Sequence, residues 1–477
     1  MSWELARIAE LEVLVAEQAG LIAAQVVVIA RLEARVLVLE ASAGKTSSNS
    51  SKPPSSDTAQ ERQVRQARRG SQRGVSGRKP GKQPGAPGAT LRQIQNPGSR
   101  VVHEPGCCSS CGGGLEDAPV VGEASRQVFD LPEPRIEVVE HVARTRRCAC
   151  GTTTAAVFPA GVDGPAVWGP RVRAWCVYLQ VYQHTPYART AELLREMGAA
   201  VSVGFVASQC TRSARKLAGW MIDLRRKLVT EPVLHADETS GRVNGNLWWL
   251  HVVSTGLLTL LVAHCRRGMV AVDEIGVIGA RDVNSTLVHD RAAMYWNYGT
   301  GHALCAAHLL RDLAGIAELP RHTAWTTELR AVLLDAKAVV DSARQAGRQA
   351  LDPAQTTAIN RAYASAVHHA MATIHGDATS KPEKAATNLA CAFYDYEAEI
   401  LAFTRNLAVP FDNNQAERDL RMTKIHQRIS GGWRAPHGIQ TFATIRSYIE
   451  TGRKHGHNPL HLLTQLYTTQ PWPIPTG

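Results

Sequence analysis

Residues 42–92 cannot build a core, and that divides the chain. The stretch has no aromatic residue, and its only large aliphatics are Val64, Val75 and Leu91. It runs from the Ser/Pro-rich segment 47–57 through an Arg-rich segment to Arg78-Lys79-Pro80-Gly81. So little apolar surface cannot offset an ordering entropy of about 1–2 kcal/mol per residue. Residues 44–92 also hold eleven Lys or Arg against Asp57 and Glu61, a net +9 of the chain's formal +11. The basic charge is therefore local, and it suits a polyanion partner. Residues 42–100 read as a basic disordered linker, either a plain tether or an arm whose Arg62, Arg65, Arg68 and Arg69 contact phosphates. The sequence on either side must fold separately, and 477 residues allow roughly three domains.

Before the linker, residues 8–39 keep a heptad register. The a positions are Ile8, Val15, Ile22, Ile29 and Val36, and the d positions are Leu11, Gln18, Gln25, Leu32 and Leu39. β-Branched residues at a with Leu at d favour a parallel two-stranded coiled coil, and the two glutamines fix its register. Residues 1–41 thus read as a helix that makes a homodimer or higher oligomer; the alternative is an amphipathic helix packed on its own chain. No run of about 18 uncharged apolar residues occurs, so no membrane span is expected. Glu4, Glu10, Glu12 and Glu17 argue against a signal peptide. Ten cysteines in so long a chain do not make a disulfide scaffold.

After the linker, residues 101–158 read as a small zinc-ribbon-like β unit. Cys108-x-x-Cys111 opens it, Cys148-x-Cys150 closes it, and Arg135 to Ala143 alternates as a strand does. Two thiolate pairs on tight turns suit tetrahedral Zn2+, which would supply folding energy that a small unit lacks. The alternative is two incidental reduced pairs, and Cys107 is a competing ligand. Cys176, Cys210 and Cys391 fall in apolar helical patterns as packing residues. Residues 159–230 read as helical. Tyr187–Met197 stops at Gly198 and Ser202 is a cap for the next helix, so the pair is either helix-turn-helix-like and DNA-binding or ordinary packing.

From residue 231 the pattern turns to α/β. Val233–Ala236 is a short strand expected to end at Asp237, Asn246–Thr255 and Leu257–His264 form a hairpin about Gly256, and Ser285–His289 is a strand ending at Asp290. Trp248 and Trp249 alternate across their strand, one toward the core and one over a sheet face. Residues 291–410 read as helical, and Asn413–Ile429 as a polar helix capped by Asn413 or Asn414. Glu417 sits in its first turns, with Arg421 and Lys424 on the same face, either phosphate-binding or simply solvated. Acids at neighbouring strand ends with a third from a helix suit two hard divalent cations, Mg2+ or Mn2+, in phosphoryl transfer. Glu238, Asp273 and Asp282 are the runners-up. Cys305-x-x-His308 on the following helix is half of a zinc site or a packed pair, the second being the better reading.

These stretches carry a resemblance. SSNSSKPPSSD (47–57), RQVFDLPEPRIEVVEH (126–141), HADET (235–239), LVHD (287–290), HALCAAHLLRDL (302–313), FDNNQAERDLRM (411–422) and ISGGWR (429–434) resemble the transposases of insertion-sequence family 66. The resemblance implies a multidomain α/β protein with an RNase H-like catalytic domain over 231–450. It implies an Asp237, Asp290 and Glu417 triad, and a helical insertion over about 291–410. It supports zinc in the 101–151 region, leaves 451–477 as a C-terminal tail, and implies DNA partners at element ends and target. Accessory transposition proteins and a place in the bacterial cytoplasm, at the nucleoid, follow from the same resemblance. The rival is a catalytically inactive DNA-binding regulator derived from such an enzyme, and all three acids stand in their motifs against it.

Overall fold

A computed structural model describes residues 90–299, 301–374 and 380–475, together with Gln18 and Gln25, which are helical and exposed. The remainder of the 1–41 helix, most of the linker, and Arg62, Arg65, Arg68 and Arg69 lie outside the described residues. The chain divides into two units, Met1–Asp130 and Leu131–Gly477.

The described part of the first unit is built from turns. Cys107 and Gly114 form a single antiparallel bridge. Between them Cys108 N–H donates to Gly113 O at 2.8 Å, and Gly112, at φ 74°, donates to Cys108 O at 2.9 Å. That left-handed position is one glycine adopts without steric cost.

The second unit opens with a hairpin of β1 (Thr145–Arg147) and β2 (Thr153–Ala155). The strand expected over 135–143 is not formed: the segment has no ladder partner, and Val138, Val139 and Val142 stay exposed. Helices α1 (Pro170–Val177), continued by a π-helical turn at Tyr178–Tyr182, α2 (Tyr187–Glu196), α3 (Val203–Lys216) and α4 (Ala218–Val229) follow. Chain reversal after α2 uses Gly198 at φ 87°, and Ser202 Oγ caps α3 by accepting from Phe205 N–H at 3.0 Å. Such a cap stabilises a helix by about 1 kcal/mol. Val177, Val181, Cys210, Leu217, Leu224 and Leu228 share one core with the sheet.

That sheet holds β3 (Val233–Val243), β4 (Asn246–Ser254), β5 (Thr259–His264), β6 (Thr286–His289) and β7 (His302–Leu304) in the order β5-β4-β3-β6-β7, with α5 (Met269–Ile275) between β5 and β6. The first three strands are antiparallel, and β6 and β7 run parallel to β3. The β4–β5 hairpin stands where the sequence puts it. β3 does not end at Asp237. It runs on to Asn244-Gly245, whose φ of 46° and 78° suit the two-residue turn that joins β3 to β4. Strand character also persists past residue 291, since β7 pairs with β6.

The helical insertion therefore begins at Ala306. It comprises α6 (Ala306–Ile316), α7 (Thr323–Gln345), α8 (Pro353–Thr373), α9 (Lys381–Asp395) and the short α10 (Glu397–Ile400) and α11 (Ala402–Arg405). It has its own core of Leu313, Trp325, Leu329, Tyr363 and Phe393, which also takes Val288 and Leu304 from the sheet. Its two ends meet where Ala306 N–H donates to Phe411 O at 3.1 Å.

Three helices close the chain: α12 (Asn414–Ser430), α13 (Pro436–Lys454) and α14 (Pro459–Thr468). Residues beyond 450 are not a tail, because α13 runs through that point and α14 buries Leu462, Leu463 and Leu466 in the main core. Thr451 Oγ1 accepts from Thr259 N–H at 3.0 Å, and Ser447 Oγ from Leu261 N–H at 2.8 Å, which fixes α13 to β5. Among the described residues no helix is long and apolar enough to cross a membrane.

Candidate active site

The strand period sorts the two acids of HADET. Leu234 and Ala236 turn into the main core, so His235 and Asp237 turn to the other face. Glu238 turns back and is sealed there: Arg267 Nε donates to it at 2.7 Å, Tyr295 OH at 2.6 Å, and its side chain is 1% exposed. Arg267 in turn lies over Trp249, while Trp248 packs against the core. Asp237 is half-buried with no cation on it among the described residues, and its Oδ1 accepts from Glu238 N–H at 2.7 Å.

Asp290 is the residue after β6. The parallel register sets His235 opposite Val288, and carrying it two residues further brings Asp237 beside Asp290 at about one strand spacing. Asp290 Oδ1 accepts from Ala292 N–H at 3.0 Å, and Arg291 sits at φ 78°, a strained conformation for a residue with a Cβ. A buried imidazole chain holds that turn. His302 Nε2–H donates to Gly299 O at 2.9 Å, His289 Nε2–H donates to His302 Nδ1 at 3.1 Å, and Arg291 N–H donates to His289 Nδ1 at 3.1 Å. Burial pushes His289 down to about 3 and lowers His302, so both rings are neutral, as the chain requires. Neither histidine was singled out by sequence, although both lie inside the quoted motifs.

Glu417 comes from α12, which lies along β3. Asn413 is fully buried and does not cap the helix. Its Nδ2–H donates to Ala236 O at 2.8 Å, its Oδ1 accepts from His235 Nδ1–H at 2.9 Å, and its N–H donates to Cys305 Sγ at 3.1 Å. Asp412 Oδ1 takes up Asn414 N–H instead, at 3.0 Å. Further along, Lys424 Nζ donates to Ser240 O at 2.7 Å. Beyond the helix, Trp433 N–H donates to Arg242 O at 2.9 Å; a Cβ at Gly432 would stand 2.8 Å from that same oxygen. Arg421 is exposed and has no ion pair or hydrogen bond among the described residues, and Arg418 donates to Gln415. Cys305 and His308 do not act as a pair: Cys305 is buried against Asn413, and His308 Nε2 lies 3.7 Å from Glu417 Oε1.

Asp237 feels the other acids. Burial pushes Asp237 up to about 7, and the negative charges of Glu238, Asp290 and Glu417 add to it. Asp273 and Asp282 lie elsewhere, accepting from Tyr298 OH and Asn284 N–H. Residues 165–441, more than half of the chain, match the model of the transposase IS66 family. The chain belongs to that family. Residues 105–151 match the zinc-finger binding domain of transposase IS66, and residues 3–92 match a family of unknown function, DUF6444. No curated protein matches it significantly.

In kind, the donor set of this IS66 chain fits a hard divalent cation: carboxylate oxygens with mutual repulsion that a cation would relieve. As they stand, no three His, Cys, Asp or Glu side chains among the described residues are gathered tightly enough to cage an ion. The cysteine turns fit zinc in the same sense. Backbone N–H groups of Cys111 and Ser110 aim at Cys108 and lower its thiol. In the β1–β2 turn, the Thr152 hydroxyl and amide lower Cys150 to about 7. Amides aimed at sulfur stabilise the thiolate that zinc needs. Cys176 and Cys210 are buried packing residues as expected, whereas Cys391 is only half-buried.

Proposed function

We propose that this chain cuts and joins DNA through an RNase H-like catalytic domain whose functional carboxylates are Asp237, Asp290 and Glu417. The observation that carries the reading is the parallel β3–β6 register, which sets Asp237 beside Asp290 on the face where α12 brings Glu417. The sheet order, three antiparallel strands followed by two parallel ones, supports the fold assignment. Asp237, Asp290 and Glu417 would hold two Mg2+ or Mn2+ ions, which would supply activation of the attacking hydroxyl and stabilisation of the leaving oxygen. The protein side chains do the rest. Asp290 is aimed by the strained turn after β6, and Arg421, free and on the Glu417 face, binds a DNA phosphate. Lys424, held by Ser240, adds a second positive charge on that face. Hydrolysis of a phosphodiester at an element end frees a 3′-hydroxyl and leaves a 5′-phosphate. That hydroxyl then attacks a target phosphodiester, forming one P–O bond as another breaks. Cys108, Cys111, Cys148 and Cys150 would hold Zn2+, which would order the region that follows the basic arm, and the N-terminal helix would make the dimer. The matched zinc-finger range, which contains all four cysteines, supports the first of these.

Asp237→Asn, Asp290→Asn and Glu417→Gln should each slow Mg2+-dependent cleavage of the element's own ends roughly a thousandfold, equivalent to about 4 kcal/mol, with DNA binding retained. Asp273→Asn and Asp282→Asn should cleave normally. Triad variants that cut like the parent would sink the reading, and loss of cleavage in Asp273→Asn with Asp290→Asn active would reassign the second acid.

A further inference from the structure

We infer that Asn413 is the positioning residue of the site: a buried clamp, set by His235, that holds Glu417 in register with Asp237. The inference rests on the reading of Glu417 as a metal-holding acid. Glu417 lies 180 positions beyond Asp237 in the chain, with the whole helical insertion between them. Nothing local fixes their separation, so the start of α12 must be pinned by contacts across the fold.

Asn413 makes those contacts with its side-chain amide and its backbone N–H, while its carbonyl accepts from Glu417 N–H at 3.3 Å within the helix. Its side-chain N–H ends on Ala236 O, the carbonyl just before Asp237. Its oxygen faces His235 Nδ1, two residues before Asp237. Because the amide nitrogen is already committed to Ala236 O, Oδ1 must accept, so His235 must carry its proton on Nδ1. The backbone N–H of Asn413 ends on Cys305 Sγ, at the entrance of the insertion. Strand, insertion and helix therefore meet at one fully buried residue. Glu417 follows Asn413 by four residues, one helical turn, so a shift of the clamp is passed directly to its carboxylate. An N-cap role would ask none of this, and the Asn413 side chain caps nothing.

The test uses the full chain and Mn2+ alone. Mn2+ binding is measured by calorimetry without DNA, and Mn2+ is then titrated into the cleavage assay. Asn413→Ala should raise the half-saturating Mn2+ in both by about 10–100-fold, as loss of a ligand-orienting partner does, and excess Mn2+ should restore much of the rate. His235→Ala should move both in the same direction. His235→Asn, whose amide N–H can stand where Nδ1–H stood, should recover most of the loss. Tyr363→Phe removes a buried hydrogen bond to Phe393 O in the insertion core and serves as the stability control. It should lower the melting temperature without moving the Mn2+ dependence. If Asn413→Ala only melts earlier, with Mn2+ half-saturation unmoved while Glu417→Gln is impaired, the clamp is overturned and the triad stands. If Glu417→Gln leaves Mn2+ binding unmoved as well, the triad reading fails and takes the clamp with it. Should Asn413→Ala not fold, the His235→Ala and His235→Asn pair decides, and equal Mn2+ dependence in the two overturns the proposal.

Discussion

Asp237 and Glu238 are neighbours in sequence with opposite fates. The strand period sends Glu238 to Arg267 and Tyr295, whereas Asp237 is left facing other carboxylates with no counter-charge among the described residues. An acid held that way opposes folding once it ionises. Asp237 titrates near 7 in the folded protein, against an ordinary 3.8 in the unfolded chain. Between those values the native state holds a proton that the unfolded state gives up. The stability tied to that proton is complete below the unfolded value and is lost as pH rises through about 7. Asn cannot ionise, so Asp237→Asn escapes the loss. In EDTA, its melting temperature should exceed the parent's by more at pH 8 than at pH 5. A difference that is equal at both pH values would mean that Asp237 titrates as an ordinary surface acid. Stability at the expense of activity is the usual mark of a residue kept for chemistry.

At the scale of elements, the two cysteine turns show how short segments can be shaped for a ligand before it arrives. Each is a tight turn with amides or a hydroxyl directed at sulfur. If they serve one zinc, freshly purified, reduced protein should contain close to one zinc per chain. Cys111→Ser should release it and make 101–158 protease-sensitive while the catalytic sheet keeps its own melting transition. Metal analysis that finds no zinc in the parent removes the idea. These turns were legible in sequence because their signal is local, as were the Ser202 cap, the β4–β5 hairpin and the strand that ends at Asp290. The Asn244-Gly245 signal for the β3–β4 turn is equally local, whereas the polar run from Asp237 reads as an early strand end. What stayed hidden is non-local. β7 is three residues long and exists only because β6 offers it a ladder. Asn413 has the composition of a cap, and only tertiary contact diverts it to Ala236. Asp419 looks like one more acid of a polar helix. In the fold it is buried and ion-paired to Lys454 at 2.9 Å, tying α12 to α13 across a gap in sequence no periodicity can bridge. The same contact moves the last helices from expected tail to core.

At the scale of the molecule, charge and chemistry are segregated. The basic excess lies in 44–92, whereas on the Glu417 face of α12 Arg421 is an exposed cation with no ion pair among the described residues. Affinity for DNA should therefore come mostly from the arm, and placement of the scissile phosphate from the face of α12. The two roles separate in their salt dependence. Each phosphate contact releases counter-ions and adds about 0.9 to the slope of log affinity against log salt. Replacing Arg62, Arg65, Arg68 and Arg69 with Gln should lower that slope by up to about 3.6 and leave the cleavage rate of saturated complexes nearly unchanged. Replacing Arg421 with Gln should do the reverse, costing at most about one contact in slope while slowing cleavage at saturation. An unchanged slope in the quadruple variant would make the arm a tether alone. The phosphates would then have to be held by the folded units, where the helix pair α2 and α3 becomes the next surface to test.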